Sequence, residues 1–242
     1  MRKEAQPALN VRAPLKPKEI DMAWIELKPE GAGPIRAWRA DPSGKPRGGI
    51  VVIQEIFGVN SHIRAVTDRF AAEGYLAVAP AIFEHVEPKF ETGYDADART
   101  RGMAIAGKID REQVLRDVVA AIAVAKEGGK VGIVGYCLGG TVAWSAAGQL
   151  SGLSAAVGYY GGGIIGLKDL KPKVPTLLHF GEKDTHIPIA GVKEVAAAHP
   201  DVEVHIYPAD HGFNCDHRES YDAPSAALAW TRTLAFLKNH VG

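Results

Sequence analysis

Cysteine is scarce: Cys137 and Cys215 are the only two in 242 residues. Two thiols cannot supply the disulfide framework of a small secreted module, and a chain of this length buries a core without one. A reduced, cytoplasmic setting is the expectation. Charge of one sign is lacking too, since Lys+Arg 28 balance Asp+Glu 28 and no basic block occurs. That excludes a dedicated binder of nucleic acid or of a membrane surface, whose affinity would rest on clustered Lys and Arg. The first twenty residues carry Pro7, Pro14 and Pro17 and five positive charges but no apolar run that could form a signal-peptide core. They read as a flexible arm over residues 1–20, followed by one domain over 21–242. There is no internal repeat and no low-complexity tract.

One stretch, residues 131–167, has no charged residue and is long enough on paper to cross a bilayer. Eleven glycines, with Thr141, Ser145, Gln149, Ser151 and Ser154, interrupt it, so a buried strand, a buried helix and another strand are expected. Around it the pattern alternates. Short strands over 24–27 and 35–39 give an antiparallel start, and the β-branched run at 48–54 reads as a strand covered on both faces. A helix over 61–73 stops at Gly74, and a strand over 75–79 closes at Pro80. Residues 84–109, with scattered Gly, Pro and charge, read as a surface excursion with short helices. Asp110 and Gln113 resemble a capping box opening a helix that runs to Gly128. Strands follow at 130–135, 154–160, 175–181 and 202–207, with helices from about 138 to 149, 189 to 198 and 224 to 239. Strand and helix in alternation imply an α/β fold: a mostly parallel sheet with helices on both faces and right-handed crossovers.

The segment richest in chemistry is Lys-Val-Gly-Ile-Val-Gly-Tyr-Cys-Leu-Gly-Gly at residues 130–140. A G-x-C-x-G between an apolar strand and a helical run is the thiol form of the nucleophile elbow. The turn is so tight that side chains at Gly135 and Gly139 would collide with neighbouring backbone. It presents Cys137 at a helix N-terminus, where unpaired N–H groups favour thiolate over thiol. Alone, the motif also fits a small buried hydrophobe in a glycine-rich loop. Two later features weigh against that. Asp184 lies on the loop after the strand at 175–181, where an α/β-hydrolase places the acid that orients its histidine, although an Asp there also suits a turn or a helix cap. His211 lies on the loop after the strand at 202–207. Cys137, Asp184 and His211 thus fall in the chain order nucleophile, acid, base.

These residues bring a family into view. The chain resembles the dienelactone hydrolase (carboxymethylenebutenolidase) family of α/β-hydrolases over about residues 22–238. The likeness is carried by Gln-Glu-Ile-Phe-Gly-Val-Asn at 54–60, Gly-Tyr-Cys-Leu-Gly-Gly at 135–140, Ala-Val-Gly-Tyr-Tyr-Gly at 156–161, Gly-Glu-Lys-Asp at 181–184 and His-Gly-Phe at 211–213. It implies a cysteine-dependent hydrolase of small esters or lactones that works through a Cys–His–Asp triad and a thioester acyl-enzyme. Glu55 is implied to contact the resting cysteine and help generate its thiolate, and the backbone N–H groups of Ile56 and Leu138 to form the oxyanion hole. No metal and no organic cofactor is called for. The expected partner is a small-molecule substrate.

Where the family's dienelactone-cleaving members place two arginines on the substrate carboxylate, this chain reads His85 and Cys215, which puts dienelactone itself in doubt. Arg218, Arg99 and Arg101 are the substitutes at hand. Phe57, Phe83, His85, Tyr136, Tyr160 and Phe213 are candidates for lining the pocket, with core packing the competing role for the aromatic ones. His205, His211, Cys215 and His217 lie close in sequence but match no zinc spacing. Two other readings stay open: a thiol sensor or binding protein without turnover on the same scaffold, and acyl transfer to an acceptor other than water.

Overall fold

A continuous run of small and β-branched residues, Gly49–Ile53, forms the buried third strand of an eight-stranded sheet in the computed structural model, which describes residues 21–242. The arm expected over 1–20 lies outside the described residues. In chain order the elements are β1 (Asp21–Leu27), β2 (Ile35–Asp41), β3 (Gly49–Ile53), α1 (Ser61–Ala72), β4 (Leu76–Pro80), α2 (Ala96–Ala106), α3 (Arg111–Ala125), β5 (Val131–Tyr136), α4 (Leu138–Gln149), β6 (Ala155–Tyr159), β7 (Thr176–Gly181), α5 (Ile189–Ala198), β8 (Glu203–Tyr207) and α6 (Ala223–His240). The strand order is β1-β2-β4-β3-β5-β6-β7-β8. β2 runs antiparallel to both β1 and β4, and every pairing from β4 through β8 is parallel. This is the mostly parallel sheet expected from the alternation of elements, in the α/β-hydrolase arrangement that the resemblance implies.

Alternate residues of β3 enter opposite layers, as a strand's two-residue period requires when both faces are covered. Ile50 and Val52 pack with Ile63, Val66 and Phe70 of α1 and Leu237 of α6. Val51 and Ile53 pack with Val114, Val118 and Ala121 of α3 and Ala143 and Ala147 of α4. The uncharged stretch resolves into β5, α4, β6 and a 3-10 turn at Gly162–Leu167. No helix among the described residues is long and apolar enough to cross a membrane.

One local expectation is sharpened and two are corrected. The excursion at 84–109 contains an eleven-residue helix, α2, because Asp95 caps it by accepting from the Ala98 N–H at 2.8 Å, and Gly102 lets it lie against the Ile56 carbonyl. Pro80 is the last residue of β4 instead of lying beyond it; it pairs with Ala37, and its missing N–H matters little at a strand end. The capping box at Asp110 is half formed. Asp110 accepts from the Glu112 and Gln113 N–H groups at 2.8 and 3.4 Å, but the Gln113 side chain turns to Asp117 and Arg116 instead of back to the cap.

Candidate active site

The parallel strands β5, β7 and β8 end at the same edge of the sheet, with β6 between β5 and β7, and the three loops that leave them carry Cys137, Asp184 and His211. The turn from β5 to α4 holds Cys137 at φ +54°, a left-handed conformation uncommon for a residue with a side chain. A Cβ at Gly135 would meet the Gly139 carbonyl, and one at Gly139 would meet the Ile53 carbonyl. Both contacts are backbone on backbone, so neither can relax by rotating a side chain. Gly135→Ala is accordingly expected to lower stability by about 3 kcal/mol, the upper part of the usual overpacking range. Chemical denaturation checks it; an unchanged midpoint would show that the turn tolerates a methyl group.

Cys137 Sγ lies 3.2 Å from His211 Nε2, and His211 Nδ1 lies 2.7 Å from Asp184 Oδ2. Asp184 is buried, its other oxygen accepting from the His186 N–H at 2.8 Å, so both carboxylate oxygens are engaged. Burial alone would push Asp184 up, but the hydrogen bonds from His211 and His186 outweigh it and hold the carboxyl below its ordinary value. For His211, burial works against the charged ring. The bonds to Asp184 and Cys137 prevail, and the imidazole is raised to about 10. The His211 carbonyl accepts from Ser220 Oγ at 2.7 Å, and the Tyr160 ring stands 5.1 Å from the imidazole. Ser220 belongs to the Ser-Tyr-Asp-Ala segment at 220–223 that resembles the family, but its support of His211 is not legible in the sequence.

Leu138 is the first residue of α4, so its N–H has no acceptor within the helix. The Ile56 N–H has no backbone acceptor among the described residues. Both donors are therefore available, on the two loops where an oxyanion hole is expected.

Glu55 departs from expectation. It is fully buried, but the contact with the resting cysteine is not formed. Its Oε1 instead faces Arg218 Nη1 at 3.3 Å, while the sulfur bonds to the imidazole. A guanidinium is the stronger partner for a buried carboxylate than a thiol. Burial works against the Arg218 charge, and Glu55 more than offsets it, so Arg218 stays firmly cationic. Arg218 also lies against the backbone of Gly212, next to His211, and 5.8 Å from the centre of the Phe57 ring. Of the three arginines considered as substitutes, this one enters the site, whereas Arg101 pairs with Glu87 at the surface.

The pocket candidates divide. His85 is not at the site: it bonds to buried Asp117 of α3 at 3.0 Å, in a cavity of about 180 Å³ lined by Ile82, Lys108 and Val114. Phe83 packs against Phe90 in the layer beneath α3. Tyr136 and Phe213 are fully buried, and Phe57 is almost so, packed on Tyr94. These aromatics belong to the buried core clusters. Tyr160, also buried, is the one that touches the His211 ring. A larger cavity, about 460 Å³, lies at the opposite end of the sheet, lined by Thr176 and Glu203 where β7 and β8 begin.

This geometry defines an α/β-hydrolase with a cysteine at the nucleophile elbow. The comparisons with known proteins specify it further. The profile of the dienelactone hydrolase family matches residues 35–241. A Synechocystis protein named "Putative carboxymethylenebutenolidase" is 39% identical over 206 residues, covering 76% of this chain and 82% of its own. An Escherichia coli K12 protein of the same name is 36% identical over 250 residues, 93% of this chain and 90% of its own. The crystal structure titled "Putative Dienelactone Hydrolase" from Klebsiella pneumoniae superposes with a TM-score of 0.82 at 31% identity, covering 92% of this chain and all of that one. The chain belongs to the dienelactone hydrolase family, and it is an ester or lactone hydrolase.

Proposed function

We propose that the chain hydrolyses small esters or lactones by a two-step acyl transfer in which Cys137 is the nucleophile, His211 the acid and base, and Asp184 the group that orients His211. The observation that carries this reading is the unbroken line of contacts from the sulfur through the imidazole to the buried carboxylate. Thiolate Cys137 attacks the carbonyl carbon, and the oxygen that gains the negative charge is received by the N–H groups of Ile56 and Leu138. Protonated His211 gives its proton to the departing alkoxide, leaving a thioester on Sγ. Neutral His211 then takes a proton from water, the hydroxide attacks the thioester, and the sulfur leaves as thiolate with the acid as second product. Each proton that leaves His211 returns within one cycle. The test is a panel of activated esters and lactones on the wild type and on Cys137→Ala, with turnover confined to the former.

Arg218 is the group on which substrate preference rests in this reading. Its charge lies on the loop after His211, anchored by Glu55, where a substrate carboxylate could replace or share the Glu55 oxygen. Truncating an arginine that binds a carboxylate removes about 1.5 to 3 kcal/mol, roughly 10- to 150-fold. Arg218→Ala is therefore expected to lower kcat/KM for a carboxylate-bearing lactone by that factor more than for its neutral methyl ester. Equal losses on the two substrates would remove Arg218 from recognition and leave it as the structural partner of Glu55.

A further inference from the structure

Three buried side chains outside the Cys137–His211–Asp184 line bring a sulfur, a nitrogen and an oxygen to one place. Glu55, His62 and Cys215 each offer a ligand atom, and the three atoms lie within 4.8 Å of one another. The three come from two distant stretches: Glu55 follows β3 and His62 lies in the first turn of α1, whereas Cys215 sits on the loop after β8. His62 and Glu55 are each at least 97% buried, and one polar atom of each, His62 Nε2 and Glu55 Oε2, has no hydrogen-bond partner. A buried donor or acceptor left unpaired is unfavourable, so a ligand that takes both atoms is favoured.

The outer face of His62 has the form expected of a metal ligand. Its Nδ1 meets the Asp216 carboxylate at 3.2 Å, an arrangement that keeps the proton on Nδ1 and directs the Nε2 lone pair inward. Glu55 divides its oxygens in the same way, with Oε1 on Arg218 and Oε2 unpartnered. A second cluster, His62, Asp216 and His217, adjoins the first through His62 and reaches the surface, which supplies a path inward. One thiolate, one imidazole and one carboxylate suit a borderline divalent ion, and three protein donors leave a fourth tetrahedral position open.

We propose that Glu55, His62 and Cys215 form a binding site for a divalent transition-metal ion of the zinc class, held in place by the Asp216–His62 contact. Binding exchanges the Cys215 proton for the metal ion and leaves oxidation states unchanged. A tetrahedral ion at about 2.0 to 2.3 Å from each donor sets them about 3.3 to 3.8 Å apart, so the three side chains need to close by at most about 1.5 Å. Neither Cys137 nor His211 donates, so metal binding can be read without turnover, although Glu55 is shared with the Arg218 pair of the proposed substrate site.

Cobalt(II) is the probe, because a bound thiolate gives it a near-ultraviolet charge-transfer band. The titration is made on the full chain carrying Cys137→Ser, in which Cys215 is the sole thiol. One equivalent of cobalt with that band, displaced by zinc, is the expected result. The band disappears in the Cys137→Ser, Cys215→Ser double variant. Asp216→Asn, a change at an exposed side chain that spares folding, weakens cobalt binding by about 10- to 100-fold, the usual effect of losing the group that orients a ligating histidine. Absence of the band with cobalt in excess, a band that survives loss of Cys215, or affinity indifferent to Asp216→Asn would each overturn the site as drawn.

Discussion

Cys137→Ala is expected to lower kcat for an activated ester by about 10⁴-fold or more, with the fold intact. In triads that act as a unit, removing the nucleophile costs as much as dismantling the whole set, leaving only what binding and the oxyanion donors provide. The same sulfur is the one that alkylating agents reach. Cys137 is partly exposed at the turn, whereas Cys215 is completely buried and its thiol is pushed up to about 12 by burial and by Glu55. Iodoacetamide should inactivate with one equivalent, located on Cys137 by peptide mass mapping. Near-wild-type turnover in the alanine variant would leave the hydrolase without this nucleophile.

Asp184→Asn has the second large effect, about 10⁴-fold in kcat, the size found when the orienting acid of a serine triad becomes an amide. The amide keeps the shape but presents the wrong hydrogen-bonding group to His211 Nδ1, so the imidazole loses both its orientation and its charge compensation. The titration of His211, followed by nitrogen-15 NMR, should then fall from about 10 toward the ordinary 6.5. Stability follows with a definite sign. Because folding raises His211, its contribution is fully present below about pH 6.5 and is lost as pH rises through about 10. Because folding lowers Asp184, its contribution is present above the ordinary carboxyl value of 3.8 and is lost as pH falls through the depressed one. In Asp184→Asn the acid-side loss vanishes and the alkaline-side loss shrinks. An unshifted His211 titration would detach Asp184 from it.

Much of this architecture could be read from residue patterns because local rules and tertiary demands agree. The β-branched run of β3, Leu138–Gln149 and Ile189–Ala198 fall where periodicity and glycine spacing put them. The elbow was legible for a steric reason: only hydrogens fit at 135 and 139, so the two glycines announce the turn and the residue between them. Asp184 and His211 were placed on loops by the strands that precede them, an apolar one at 175–181 and the last one at 202–207. What escaped notice depends on contacts across the chain. Glu55 was assigned to the sulfur, and only the folded loop reveals that Arg218, 163 residues away, claims it instead. His85 stands where a clamp residue was expected, yet the carboxylate of Asp117 draws it to α3. His62 belongs to no sequence motif. Its nearness to Cys215 comes from the packing of α1 against the loop after β8, which no spacing encodes.

The most direct test of the central claim is to trap the acyl-enzyme. An ester that acylates quickly and hydrolyses slowly is mixed with the protein, quenched in acid, and analysed by intact and peptide mass spectrometry. The account predicts one acyl group per chain, carried as a thioester on the peptide containing Cys137, labile to hydroxylamine and absent from Cys137→Ala. Turnover without any such adduct, or an adduct on another side chain, would contradict it.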